Sequence, residues 1–265
     1  MYQSNKQKNF IKKIKLKKFI IFSIQVLIVA IFLTSWELLS KNGIINSFIY
    51  SSPSRIFNTI KNLINSDNLW IHIFTTLKEV IIAFLLGISL GLFIATIFYL
   101  VPPLAQIFDP FLTILNSLPK VALGPIIIII FGANTKSIIM MAILINLIVS
   151  ITTIYNGFTS IDKTKVKLFK IYKASKFQTL TKLVFPSAYS SVITSLKLNI
   201  ALTLIGVITG EFLVSQKGIG YLIIYGTQVF NLDLVMSGIF ILLVISYLIY
   251  EIVVIVEKKL LKNTN

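Results

Sequence analysis

Apolar stretches of about twenty residues recur along this chain, and that repetition leaves few folds open to it. The first covers residues 19–38 and holds no charged residue until Glu37. Others cover residues 76–100, 137–155, 187–213 and 234–256. A sixth lies within residues 104–131 and is interrupted by Pro110, Pro119 and Pro125. A helix of this length crosses a hydrocarbon core ~30 Å thick. Hydrophobic residues make up 56% of the 265-residue chain and charged residues 13%, with a mean hydropathy of +0.89. Soluble domains carry roughly 25% charged residues. The expected fold is an all-α integral membrane protein with about six transmembrane helices. Residues 19–265 form one domain behind a basic segment, residues 1–18. The first stretch lacks a small-residue cleavage site at its end, so it reads as a retained span. In the proline-interrupted stretch, residues 121–133 alone are too short. Part of residues 108–120 must join the crossing or lie at the interface.

The lysines fix an orientation. Of the 25 lysines and arginines, 17 fall in residues 1–18, 158–187 and 257–265. Cytoplasmic loops carry such an excess. The N-terminus, the 158–187 loop and the C-terminus are therefore expected in the cytoplasm. Trp36, Trp70, Tyr221 and Tyr225 then fall near the outer interface, and Tyr99, Tyr247 and Tyr250 near the inner one. The net charge of +16 is explained by this bias, and no nucleic-acid partner is expected, since no soluble domain surrounds the basic loop. There is no cysteine, which excludes disulfides and thiolate metal sites. The single histidine, His72, reads as a surface residue near the membrane edge.

Residues 158–187 hold seven lysines between two apolar stretches. Read as a helix, Leu168, Ile171, Tyr172 and Ser175 share one side. A break follows at Ala174-Ser175-Lys176, and Thr179, Leu183 and Val184 resume the pattern up to Pro186. Such a helix suits a groove on a cytoplasmic protein; the plainer reading is a solvated loop that only sets topology. At the other side of the membrane, Ser52 or Ser54 near Pro53 caps a short surface helix, with Ile56, Ile60, Leu63 and Ile64 on one face. Gly87-x-x-x-Gly91 and Gly206-x-x-x-Gly210 would allow close helix contacts.

No catalytic constellation or phosphate-binding loop is present in the sequence. Uphill transport would need energy from elsewhere. Glu211, ionisable and within or near a span, is a candidate functional residue by that fact alone. Lys197 lies inside a span and is expected to snorkel inward. Asn116, Asn146, Asn199 and Thr203 either line a polar path or bond between helices. At this point three readings stand. One is a transport subunit, another an ATP-independent secondary transporter or channel. The third, a membrane-embedded lipid-modifying enzyme, would need clustered aspartates or histidines that the sequence lacks.

Several motifs together narrow the choice. Ala174-Ser175-Lys176-Phe177-Gln178, followed by Lys182-Leu183-Val184-Phe185-Pro186-Ser187-Ala188, resembles the cytoplasmic coupling loop of binding-protein-dependent ABC importer permeases. Ser52-Pro53-Ser54, the run Asn116-Ser117-Leu118-Pro119-Lys120-Val121-Ala122-Leu123-Gly124-Pro125, and Phe131-Gly132 are similar to other family signatures. So are Gly210-Glu211-Phe212-Leu213-Val214-Ser215 and Gly218-Ile219-Gly220-Tyr221-Leu222-Ile223. The resemblance covers about residues 50–260 and points to the subgroup handling nitrate, sulfonates, taurine or thiamine precursors. It implies a type I ABC importer-like fold and a permease subunit for a small polar solute, with anions among the candidates. It implies as partners cytoplasmic ABC ATPase subunits, an extracytoplasmic solute-binding protein and a second copy of the chain. It implies no cofactor on this chain, with ATP used by the ATPase. Lys170, Lys173, Ala174, Ser175, Lys176, Phe177 and Pro186 become the expected coupling residues. Asn116, Asn199, Thr203 and Glu211 become expected pathway or gate residues. Two departures stand out. Lys167-Leu168-Phe169 replaces the family's Glu-Ala-Ala, and Lys173 replaces its glycine, which would allow a tight turn and close approach, so the contact geometry at Lys173 is left open.

Overall fold

The computed structural model describes residues 5–66 and 68–262, and these are helical with short connections. Helix α1 spans Asn5–Lys41, followed by a single turn, α2 (Ser47–Tyr50), and by α3 (Pro53–Asn65). The long α4 (Asn68–Leu100) leads into α5 (Pro102–Ser117), a 3₁₀ turn (Lys120–Leu123) and α6 (Gly124–Phe131). Then come α7 (Thr135–Thr159), α8 (Lys163–Ile171) and α9 (Lys176–Thr179). A π turn (Leu180–Val184) joins α9 to α10 (Phe185–Val214), and α11 (Ile219–Gln228) and α12 (Leu232–Lys262) complete the described residues. Residues 1–4 of the basic N-terminal segment lie outside the described residues.

Five helices are long and apolar enough to cross a membrane. The proline-interrupted stretch supplies the sixth crossing as an elbow: Pro102–Ser117 and Lys120–Phe131 meet at 94°. The arms extend ~24 Å and ~18 Å at 1.5 Å per residue, so neither crosses alone. Pro119, extended at its own backbone, stands at the bend. That these arms form a crossing follows from their neighbours. Glu79, in the first third of α4, and Thr135, which opens α7, line one cavity. The two helices therefore start at the same end of the bundle, and the chain between them must return across it.

The lysine-rich segments also gather at one end. Lys176 Nζ donates to the Leu100 carbonyl, the last of α4, at 3.3 Å, placing the 158–187 loop at the end where α4 stops. Glu257 near the end of α12 pairs with Lys197 in the first half of α10 at 2.5 Å. Glu37, near the end of α1, accepts from the Ser54 N–H at 3.0 Å at the opposite end. Both terminal helices and the loop thus put their lysine-rich parts at one end of the bundle.

Helix α7 is the centre. Ile138, Met141, Ala142, Ile154 and Phe158 on it are almost completely buried. Both small-residue pairs face it. A Cβ at Gly87 would lie 1.8 Å from Asn146 Oδ1, and one at Gly91 would lie 2.3 Å from Ser150 Cβ. From the other side, a Cβ at Gly206 would lie 2.5 Å from Ala142 Cα, and one at Gly210 would lie 3.0 Å from Ile138 Cα. Small residues are what let helix backbones approach in lipid, where no hydrophobic force draws helices together. Helix α1 is the opposite case: its apolar window has no buried residue within the chain.

The surface helix α3 forms as the sequence suggests. Ser52 Oγ accepts from the Arg55 N–H at 3.4 Å, and Pro53 occupies the first turn. Ile56 is buried, Ile60 and Leu63 pack against the cluster around Ile219 and Ile241, and Ile64 remains exposed. The Arg55 Nε and Nη2 both donate to Asp233 Oδ2, at 3.0 and 2.7 Å, clasping α3 to α12. The sequence alone gives no reason to pair residues so far apart.

Replacing Gly206 by Ala is expected to force α10 away from α7 and to cost about 1–3 kcal/mol. Leu243→Ala, on an exposed face of α12, removes little internal packing and is expected to be nearly neutral in detergent. Thermal unfolding of the purified protein checks the contrast; equal midpoints for the two variants would remove the packing role of Gly206.

Candidate functional site

Two regions hold the expected functional residues. The first is the lysine-rich loop. Asp162 caps α8, its carboxylate accepting from the Thr164 N–H at 2.8 Å. That bond holds the Asp162 carboxyl below the usual carboxylate range. Helix α8 ends in a Schellman turn: the Ala174 N–H donates to the Phe169 carbonyl at 3.0 Å and the Lys173 N–H to the Lys170 carbonyl at 2.9 Å. Lys173 carries the left-handed conformation this turn requires, with φ +54°. The tight turn is thus formed with lysine in place of glycine. Lysine takes the conformation that glycine adopts without strain, at a cost of about 1 kcal/mol.

The second half of the loop restarts at once. Ser175 and Gln178 form a capping box, Ser175 Oγ accepting from the Gln178 N–H at 3.1 Å and Gln178 Oε1 from the Ser175 N–H at 2.8 Å. Pro186, exposed in the first turn of α10, lacks the N–H that would continue the α ladder, and the π turn immediately precedes it. Thr179, Leu180, Leu183 and Val184 are buried, and Leu180 and Val184 join the cluster of Ala95, Ile154, Phe158 and Ala188. So the loop is anchored on its trailing side and open on its leading side. Ile171 is 75% exposed, Tyr172 77% and Phe177 65%, among the exposed lysines Lys170, Lys173 and Lys176. Lys176 has a second task, the bond to the Leu100 carbonyl.

The second region lies along α10. Ser195, Asn199, Thr203 and Glu211 recur at multiples of four residues and are all fully buried inside the chain. Asn199 Nδ2 donates to Ser195 Oγ at 2.9 Å, Thr203 Oγ1 to the Asn199 carbonyl at 2.6 Å, and Asn146 Nδ2 to Thr203 Oγ1 at 2.7 Å. These bonds tie α10 to α7 and, through Asn146 Nδ2 and the Ala83 carbonyl, to α4. Asn116 stands apart, exposed at the elbow, its Oδ1 accepting from Lys120 Nζ at 3.1 Å. Lys197 is drawn to Glu257.

Glu211 closes the far end. Its carboxylate accepts from Thr76 Oγ1 at 2.6 Å and from the Gly220 N–H at 2.5 Å. Thr76 Oγ1 in turn accepts from the Ile219 N–H at 2.9 Å. The Gly218-Ile219-Gly220 motif wraps this carboxylate: Gly218 has φ +107°, and a Cβ there would fall 2.3 Å from Glu211 Oε1. The Gly218 N–H donates to His72 Nδ1 at 3.0 Å, and the His72 ring stacks on Tyr221. His72 is therefore half-buried and bonded, not a plain surface residue. Beside Glu211 lies Glu79, only 1% exposed. Sequence reasoning passed over Glu79 and Thr76; with His72 and Ala83 they recur at three and four residues on one α4 face, which was the available signal. A further unforeseen feature is a groove of about 370 Å³ between α7 and α10 lined by Thr153, Asn156, Ser160, Ser190, Ser191 and Thr194.

The comparisons with known proteins agree with this architecture. Residues 87–262 match the family described as "Binding-protein-dependent transport system inner membrane component". The chain is 28% identical over 243 residues to the putative aliphatic sulfonates transport permease protein SsuC of Bacillus subtilis (strain 168), covering 91% of this chain and 87% of that protein. It is 20% identical over 225 residues to the taurine transport system permease protein TauC of Escherichia coli (strain K12), covering 83% and 82%. Among solved structures, an inward-facing MetNI methionine ABC transporter superposes with a TM-score of 0.62 at 15% identity, covering 74% of this chain and 97% of that one. At that identity the likeness shows a shared type I importer fold. With the six crossings and the anchored, outward-facing loop, the match over residues 87–262 makes this chain a member of the binding-protein-dependent transport system inner membrane component family.

Proposed function

We propose that the chain is the permease subunit of an ATP-driven importer whose 158–187 loop docks a separate ATPase in the cytoplasm. The observation that carries this reading is the loop's form: a capped two-part element, anchored by Leu180 and Val184, that exposes Ile171, Tyr172 and Phe177 among lysines. Exposed aromatic anchors within a polar rim are what a protein partner buries. The N- and C-termini share the loop's cytoplasmic side, in keeping with the lysine bias. A second copy of the chain would complete the path, and an extracytoplasmic binding protein would deliver solute near Lys217–Leu222. The hydroxyl-lined groove between α7 and α10 would face the solute near the cytoplasmic end. The chain binds no cofactor; ATP acts in the partner, since the sequence carries no phosphate-binding loop. Nucleotide then biases two conformations of the permease. The solute is small and polar, of the class carried by the sulfonate and taurine relatives, or nitrate or thiamine precursors.

Three outcomes check this reading. The double change Tyr172→Asp and Phe177→Asp should strip the ATPase from the purified complex while the permease remains monodisperse. Lys173→Glu should uncouple ATP hydrolysis from uptake, with unchanged coupling counting against the docking role. Lys173→Gly should leave coupling intact and stabilise the turn by about 0.5–1 kcal/mol, read from thermal unfolding. Solute uptake by vesicles holding the permease alone would favour an ATP-independent transporter instead.

A further inference from the structure

Among the described residues, three partly shielded carboxylates each have a basic partner. Glu37 pairs with Lys41 at 3.2 Å, Asp233 with Arg55 at 2.7 Å and Glu257 with Lys197 at 2.5 Å. The two most buried carboxylates, Glu79 at 1% and Glu211 at 0% exposure, have none within 4 Å. Glu211 is held by neutral donors, the Thr76 hydroxyl and the Gly220 N–H. No backbone or side-chain donor satisfies either oxygen of Glu79 with good geometry; the groups that face its carboxyl are Glu211 and Thr135. Helix α4 needs nothing from Glu79 to hold α10 and α11, because the Thr76 bonds to Glu211 and Ile219 already do so.

An isolated buried carboxylate is costly, by several kcal/mol even after relaxation, and two side by side add repulsion. Glu79 nevertheless lines an open cavity of about 460 Å³ at the far end of the bundle, between the start of α7 and the Val214–Lys217 segment. Lys78 and Lys217 stand on the wall of that cavity. They and the N-terminus of α7 offset part of any negative charge on the pair at longer range. One positive charge in direct contact, or one proton shared between the two carboxyls, would offset the rest.

We propose that Glu79 and Glu211 form a binding site for one small monovalent cationic group, an ammonium or an alkali ion, entered from this cavity. A divalent ion fits poorly. No group of three acidic or imidazole ligands occurs among the described residues, and calcium takes six to eight oxygens. Both oxygens of Glu79 are shielded in this conformation; an ammonium admitted beside them would donate to their lone pairs and leave the neutral bonds of Glu211 undisturbed. The cation has two sources, a free ion or the amine end of a transported zwitterion. Only the second rests on the permease reading.

The test uses the purified permease with its ATPase, at constant ionic strength set with N-methylglucamine chloride. Sodium, potassium and methylammonium chlorides are titrated while thermal unfolding is followed. Taurine is compared with isethionate, which keeps the sulfonate and replaces the amine by a hydroxyl. At least one cation or taurine should raise the midpoint saturably by about 3 °C in the wild type. Glu79→Gln should abolish that rise, and its own midpoint without added cation should exceed the wild-type one. Glu79→Asp, which keeps the charge but shortens its reach, should need at least about tenfold more ligand, a loss of one 1.4 kcal/mol step. A rise with taurine and not with isethionate assigns the site to a solute amine; a rise with the simple salts assigns it to a free ion. No cation-specific rise in the wild type, or an equal rise in Glu79→Gln, overturns the site. Transport is not measured, so failure of the importer reading would leave this result standing.

Discussion

The seating of α7 between α4 and α10 is the contact on which the rest depends. Gly87 and Gly91 on one side, and Gly206 and Gly210 on the other, bring backbones within reach of Asn146, Ser150, Ala142 and Ile138. Once the helices stand that close, the short side chains between them bond to one another. Asn146 can reach both Ala83 and Thr203 only because Gly87 leaves it room. In lipid these bonds fix rotation and register, a task that hydrophobic burial performs in water. The two ends of the bundle inherit that alignment. At one end it sets the start of α10, where the loop is anchored; at the other it brings Glu211 against Thr76 and Glu79.

The loop shows how a family pattern survives a change of residue. A Schellman turn demands a left-handed residue at one position, and backbone bonds from Lys173 and Ala174 hold it there whichever side chain is present. The anchoring of Leu180 and Val184, together with the capping box of Ser175 and Gln178, supplies the remaining constraint. The departure thus alters the surface that the turn offers, adding a charge, more than it alters the path of the chain.

Much of this was legible in the sequence because membrane helices announce themselves by length. The spans around residues 76–100, 137–155, 187–213 and 234–256 were foreseen, and the structure mainly lengthens them, since amphipathic ends continue the helix into the polar zone. The cap at Ser52 and the break near Ala174 were legible from local side-chain chemistry. The site residues were less so. Asn199, Thr203 and Glu211 stood out as polar groups in apolar surroundings, but their common face and their partners depend on how α7 is inserted. The pairings Lys197–Glu257 and Arg55–Asp233 join residues distant along the chain, and no local pattern signals them. Glu79 escaped notice because, near the start of its span beside Lys78, it resembles an ordinary solvated charge.

The elbow between α5 and α6 has a consequence for the chain as a membrane solute. Backbone polar groups outside a regular helix find no partner among acyl chains, so such a segment must face water or protein at bilayer depth. Here Asn116, Ser117, Leu118 and Pro119 are all exposed on the single chain. The Pro119 carbonyl accepts from the Ala122 N–H at 2.8 Å, but a lone copy surrounded by lipid would leave the carbonyls just before it, at Ser117 and Leu118, unsolvated. The bend therefore makes the isolated polypeptide an unfinished object in a bilayer, complete only where another protein surface or a water-filled channel runs alongside residues 116–119.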